Sequence, residues 1–201
     1  MLNQTALFCS STSTLNISDI AANSAFPERC LGAHPYNPAH IMPYVELTRG
    51  NGTSGEAVDL ARRFYESMGK KVVVLKKEKP GFIGNRLQGA LNIQAFKIVI
   101  EDVCDPEDVD TAVRWGLGIR WALLGPYLNG ELNGGANGIS DFLVKYYRNF
   151  PDEFVNQTAP EGVKRIKQAR KEEIGGESIE EINAYRDRYL LKILRLLGEE
   201  V

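Results

Sequence analysis

Gly32-Ala33-His34-Pro35-Tyr36-Asn37-Pro38 carries the histidine around which the rest of the chain is read. Glu46 follows twelve residues later, inside Tyr44-Val45-Glu46-Leu47. Cys30 to His34 and Tyr44 to Thr48 read as β-strands, so His34 and Glu46 end successive strands that can lie side by side. A histidine is suited to taking a hydroxyl proton near neutral pH. A carboxylate on its other ring nitrogen fixes the tautomer and stabilises the imidazolium that forms. Upstream lies Ser10-Ser11-Thr12-Ser13-Thr14-Leu15, and downstream Pro80-Gly81-Phe82-Ile83-Gly84-Asn85-Arg86-Leu87. A histidine, a carboxylate, a hydroxyl and an amide are what a hydride-transferring alcohol dehydrogenase needs at its reacting carbon. His40 has no such context and reads as structural or exposed.

Around this group the first 78 residues are mixed α/β. Ala6 to Cys9 is a short apolar run that fits a buried parallel strand. Asn16 to Ala22 is a short helix. Ser54 to Met68 is a longer one, with Ala57, Leu60, Ala61, Phe64 and Met68 on one face and Gly69 in the C-terminal glycine position. Val72 to Leu75 is a further strand. After Pro80 the pattern is helical nearly to the end. Phe82 to Ile100 is apolar on several faces, which predicts a helix buried on more than one side. Asp105 is placed to cap a helix that has Pro106 in its first turn. Ile179 to Leu197 is strongly amphipathic. Gly130 to Gly138 must be irregular or a tight helix–helix contact.

Gly50-Asn51-Gly52-Thr53-Ser54-Gly55 is a literal G-x-G-x-x-G between a strand and a helix. With only one strand–helix–strand unit around it and helices directly afterwards, it reads as a glycine-rich turn rather than a dinucleotide fingerprint.

Bulk properties exclude several classes. The 201 residues carry a formal net charge of -2, with acidic and basic residues interspersed. That predicts no nucleic-acid partner and no membrane surface. The Lys/Arg run from Lys164 to Lys171 reads as a solvated helix face. Cys9, Cys30 and Cys104 lack metal-ligand spacing, so no metal site is expected, and so sparse an odd count suits a reducing compartment. The first fifteen residues are no signal peptide, and no apolar run approaches the roughly 20 residues that cross a bilayer. The cytosol is the default expectation.

Taken together, the four segments from Ala6 to Pro126 resemble the 3-hydroxyacyl-CoA dehydrogenase superfamily. The arm Gly116-Leu117-Gly118-Ile119-Arg120-Trp121, closed by Gly125-Pro126, is more similar to the branch containing L-gulonate 3-dehydrogenase, lambda-crystallin and carnitine 3-dehydrogenase. The resemblance implies an α/β remnant of a Rossmann-like sheet followed by an all-α C-terminal domain. Residues 1–78 would be the C-terminal part of an NAD-binding domain, and residues 79–201 a helical substrate and dimerisation domain. The sheet's first strand and phosphate turn are then expected upstream, so the chain reads as a fragment, a partial gene model or one piece of a larger protein, and is expected to be inactive alone.

The resemblance also assigns roles. His34 and Glu46 are the base and its orienting carboxylate. Ser13 is the hydroxyl on the substrate oxygen, and Asn85 the amide that binds the same oxygen. Ser13 and Asn37 lie beside the nicotinamide of NAD. Arg120, absent from the corresponding arm of the acyl-CoA enzymes, would pair with a substrate carboxylate. A surface ion pair is the competing reading for Arg120. The implied function is NAD-dependent oxidation of the 3-hydroxyl of a small 3-hydroxy acid, gulonate- or carnitine-like, by a homodimer joined through its helical domain. A 3-hydroxyacyl-CoA dehydrogenase and a non-catalytic structural or dimerisation module are the alternatives.

Overall fold

The computed structural model describes residues 6–135, 138–147 and 176–198, together with Ile166, Gln168 and Glu172. Most of the Lys164–Lys171 run and Ala136 and Asn137 of the glycine-rich stretch lie outside the described residues. Two compact units divide the chain, Met1–Glu101 and Asp102–Val201.

The first unit is built on a four-stranded sheet, ordered β1 (Phe8–Ser10), β2 (Cys30–Pro35), β3 (Tyr44–Arg49) and β4 (Lys71–Val74). β1 runs parallel to β2 and β3 parallel to β4, while β2 and β3 pair antiparallel. Side chains alternate between the two faces of a strand. Leu31 and Ala33 of β2 therefore join Val45 and Leu47 of β3 on one face, where Ala61 of helix α2 (Gly55–Ser67) closes the core. Gly32, His34, Glu46 and Thr48 fall on the other face. There Ile17 of the short helix α1 (Ile17–Ile20) packs against Gly32.

Helix α2 starts at Ser54, whose hydroxyl accepts the Ala57 N–H, and is followed by Gly69 at φ 76°. Its buried face differs from the predicted one. Ala57, Val58 and Ala61 face the sheet, while Leu60, Phe64 and Met68 are exposed. The small side chains let the helix sit close to the sheet, with Tyr65 packed beside the core. β1 is also more exposed than its apolar run predicts, with Phe8 44% accessible. It lies at the sheet edge, where β2 is its one neighbour among the described strands.

The G-x-G-x-x-G turn is occupied by the fold itself. The Gly50 N–H donates to Thr53 Oγ1 at 2.8 Å, and the Asn51 N–H to Ser18 Oγ at 2.9 Å. Glu78, the acid after the next strand, accepts both the N–H and the hydroxyl of Ser18. Neither the donors nor the acid is left facing a ligand.

Helix α3 (Gly84–Ile100) completes this unit. None of its residues is buried, contrary to the expectation of burial on more than one side. Leu87, Ile93, Phe96 and Ile100 are at the surface, so its apolar faces exceed what the small core of this unit can cover.

Among its described residues the regular elements of the second unit are all helices. Asp105 and Asp108 form a capping box at the start of α4 (Pro106–Thr111). A π-helical turn (Ala112–Gly118) leads into α5 (Ile119–Asn133), which kinks at Gly125 (φ 67°) before Pro126. α6 (Ile139–Tyr147) packs on α5 at Gly130, where a Cβ would come within 3.2 Å of the Phe142 ring. The glycine-rich stretch is thus in part a close helix contact. α7 (Ile179–Leu196) begins with a Ser178–Glu181 capping box.

Candidate active site

The antiparallel register sets His34 directly opposite Glu46. The two meet across the β2–β3 ladder, Glu46 lying within its strand rather than at its end, and both project from the face opposite the apolar core. His34 is 8% and Glu46 1% accessible. His34 Nδ1 lies 3.2 Å from Glu46 Oε2, and its Nε2 lies 3.1 Å from Ser13 Oγ. An ionised carboxylate only accepts, so Nδ1 carries the ring proton. Nε2 of the neutral ring is then the acceptor of the Ser13 hydroxyl. The result is a directed chain from Ser13 through His34 to Glu46.

A buried carboxylate needs donors. The other oxygen of Glu46, Oε1, has three: Tyr44 OH at 3.2 Å, Ile83 N–H at 2.9 Å and Gly84 N–H at 3.0 Å. The two amides belong to the first residues of the α3 turn, where the helix leaves N–H groups unpaired and carries partial positive charge. Phe82 brings them there. It takes φ 48°, a conformation disfavoured for a bulky side chain. Its ring is buried, with its centroid 5.6 Å from that of His34. Burial of the ring and the two bonds to Glu46 hold this turn in place.

Aromatic rings wall the pair. Tyr36 meets His34 edge-on at 5.3 Å and Tyr44 at 5.2 Å. Burial, then the charge of Glu46, pushes the Tyr44 phenol well above the ordinary tyrosine range, and Tyr36 shifts the same way for the same reasons. Both hydroxyls therefore stay protonated at physiological pH.

A cleft of about 510 Å³ opens over this group. Ser11, Ser13, His34, Pro35, Tyr36, Asn37, Asn85 and Gln88 line it. It lies at the C-terminal ends of β1 and β2, where open α/β sheets hold their ligands. Asn85 donates its amide to the Ser13 backbone carbonyl at 3.1 Å, tying the serine turn to α3. The structure thus brings Ser13, His34, Glu46, Asn37 and Asn85 together.

Arg120 belongs to the second unit, where its Nε donates to the Gly116 carbonyl at 3.0 Å. His40 is exposed. Sequence reading missed Gln88 and Tyr44. Gln88 is three residues after Asn85 and so shares its helix face. Tyr44 is two residues before Glu46 and so shares its strand face. Both periodicities were available.

Ser13 and Asn37, the residues expected beside a nicotinamide, both line the cleft next to His34, with a hydroxyl and an amide to offer a polar ligand there. Among the described residues no cluster of His, Cys, Asp or Glu could hold a metal ion, and no helix is long and apolar enough to cross a membrane.

Known proteins share this arrangement of elements. Residues 1–79 match the family model for the NAD binding domain of 3-hydroxyacyl-CoA dehydrogenase, and residues 81–183 match the model for its C-terminal domain. The chain is 38% identical over 197 residues to L-carnitine dehydrogenase of Pseudomonas aeruginosa, aligning 96% of this chain with 61% of that protein. It is 36% identical over 196 residues to the L-carnitine dehydrogenase of Streptomyces coelicolor, covering 96% and 62%. It therefore spans about three fifths of the length of these relatives. Among solved structures, 5-formyl-3-hydroxy-2-methylpyridine 4-carboxylic acid 5-dehydrogenase, an NAD+ dependent dismutase, superposes with a TM-score of 0.68 at 32% identity, covering 99% of this chain and 66% of that one. A 3-hydroxyacyl-CoA dehydrogenase of Archaeoglobus fulgidus gives the same TM-score at 29% identity, covering 97% and 68%. By its two consecutive family matches and the arrangement of its sheet and helices, the chain belongs to the 3-hydroxyacyl-CoA dehydrogenase family.

Proposed function

We propose that the protein carrying this chain is an NAD-dependent dehydrogenase that oxidises the 3-hydroxyl of a small, free 3-hydroxy acid. The observation that carries the reading is the directed Ser13–His34–Glu46 chain, buried at one end and open to the cleft at the other. NAD, when bound, supplies the hydride acceptor. His34 supplies the base. Its Nε2 faces the cleft, and a substrate hydroxyl that takes the place of Ser13 as its partner gives its proton to that nitrogen. Glu46 keeps Nδ1 protonated and balances the imidazolium. Ser13 and Asn85 offer a hydroxyl and an amide to the reacting oxygen, and Asn37 lies beside the nicotinamide.

A free acid is favoured over a thioester by the relatives themselves. L-carnitine dehydrogenases and a pyridine-carboxylic acid dehydrogenase are named for small acids. Arg120 is the residue assigned to the substrate carboxylate. The acyl-CoA thioester is the second reading, supported by the likeness to the Archaeoglobus fulgidus enzyme. The domains are assigned as residues 1–78, part of the NAD-binding domain, and 79–201, the helical domain through which two copies pair. The cytosol is the assigned compartment.

The deciding experiment is turnover of 3-hydroxy acids and their CoA thioesters with NAD, by the protein that carries these residues and by its His34→Ala variant. His34→Ala should lower kcat by at least the ~100-fold typical of losing a general base. Glu46→Gln should cost less, since glutamine still accepts from Nδ1 without balancing its charge. Undiminished turnover by His34→Ala would end the dehydrogenase reading.

A further inference from the structure

We propose that Tyr44 is a positioning residue for the His34–Glu46 pair, drawing part of the carboxylate charge onto Oε1 and so setting the strength of the bond from Oε2 to the imidazole. The proposal rests on the reading of His34 and Glu46 as base and orienting acid.

The sheet places Tyr44 for this task. Tyr44 and Glu46 are two residues apart on β3 and share a face. The register pairs His34 with Glu46 and Pro35 with Val45, and carried one residue past the end of β2 it brings Tyr36 opposite Tyr44, two pairs along from His34 and Glu46. The Tyr36 ring braces the Tyr44 ring at 5.2 Å, leaving the Tyr44 hydroxyl 3.2 Å from Glu46 Oε1. The Tyr36 hydroxyl is buried too, yet it has no hydrogen-bond partner among the described residues. Two phenols thus sit side by side next to one carboxylate, and only one is bonded to it. Tyr36 is the internal control for a tyrosine that merely packs.

The electrostatics give the sign. A hydroxyl donated to a buried carboxylate stabilises negative charge at the oxygen it touches. Oε1 has three such donors, whereas Oε2 faces His34 Nδ1. Removing the Tyr44 hydroxyl takes away one donor and leaves more charge on Oε2. The bond from His34 Nδ1–H then shortens and strengthens.

The test is imidazole proton and nitrogen NMR of the chain, which has two histidines and therefore two ring systems to assign. In Tyr44→Phe the His34 Nδ1–H proton should move downfield, with the His40 signals in place. In Tyr36→Phe it should stay where it is. No movement in Tyr44→Phe, an upfield movement, or an equal movement in Tyr36→Phe would overturn the proposal. Glu46→Gln is the separate check on the pair. It should move the same proton far upfield, and an unchanged signal there would sink the base-and-acid reading itself. Should Tyr44→Phe fail to fold, the unmodified chain still decides. One slowly exchanging tyrosine hydroxyl proton should produce a deuterium isotope shift on the Glu46 carboxyl carbon, and absence of that shift would count against the proposal.

Discussion

The Tyr36 hydroxyl lies where a side chain at position 84 would have to go: a Cβ built on Gly84 falls inside the Tyr36 phenol. Gly84 opens α3, and its N–H is one of the donors to Glu46. The missing side chain is what lets the helix start come this close to the sheet. Gly84→Ala should therefore lower stability by about 1–3 kcal/mol, the usual cost of overpacking, seen as a lower urea midpoint. Combining it with Tyr36→Val, which vacates the space, should recover most of the loss. An unchanged midpoint in Gly84→Ala alone would mean that the contact relaxes freely.

The raised Tyr44 phenol makes a prediction at alkaline pH. Burial, then the Glu46 charge, holds its proton beyond the ordinary tyrosine range. The folded chain thus gives up this proton at higher pH than the unfolded chain. The stability it confers is full below the unfolded value of about 10 and is lost as pH rises beyond it. Thermal unfolding of the wild type should show Tm falling above that pH, and Tyr44→Phe should fall less steeply. Parallel slopes would show that Tyr44 does not contribute.

Gln88 reaches the cleft from the same helix face as Asn85. The side chains that line the cleft beside His34 are uncharged, and most are hydroxyls or amides. A substrate bearing a second hydroxyl finds a partner here. In the protein that carries this chain, Gln88→Leu should raise KM for a polyhydroxy acid about 2- to 12-fold, the equivalent of one neutral hydrogen bond. KM for 3-hydroxybutyrate should barely move. Equal effects on both would assign Gln88 to the helix surface rather than to specificity.

Arg120 holds the Gly116 carbonyl through Nε, which orients the guanidinium without using its outer nitrogens for that bond. If it reads a substrate carboxylate, Arg120→Met should lower kcat/KM for a free 3-hydroxy acid by about 10- to 150-fold. The thioester should be little affected. Arg120→Lys supplies charge without the planar fork and should recover only part of the loss. Equal losses on acid and thioester would make Arg120 a structural residue.

α3 leaves Leu87, Ile93, Phe96 and Ile100 at the surface. We expect these exposed apolar residues to be covered by a second copy of the chain. Light scattering at high micromolar concentration should return twice the chain mass, with Leu87, Leu91 and Phe96 near or beneath the interface. A monomer mass would contradict self-association through this helix.

Much of this was visible in the sequence, for identifiable reasons. Strand alternation located β2 and β3, and the twelve-residue spacing brought His34 to Glu46. The Asp105 cap located the start of α4, and apolar periodicity located α2 and α7. The α2 face was misjudged because periodicity weighs Leu60 and Phe64 by size, whereas close packing on the sheet selected Ala57, Val58 and Ala61. The burial of α3 was misjudged because an apolar helix signals that a partner is needed without saying where it comes from. The donors on Glu46 Oε1 were hidden because two of them are backbone amides, which no side-chain pattern encodes.

The antiparallel register of β2 and β3 makes one alignment answer for two properties. Odd-numbered Leu31, Ala33, Val45 and Leu47 fill the core, while even-numbered His34 and Glu46 lie on the opposite face, where His34 lines the cleft. A slip of one residue would turn every side chain of the displaced strand to the opposite face. Glu46 would enter the apolar layer as Val45 and Leu47 left it. The misaligned chain would therefore lose its core together with its proton-transfer pair. Changes in the loop between Pro35 and Tyr44 spare both properties as long as they leave the pairing of β2 with β3 in place, so in this domain folding correctly already proofreads the chemistry.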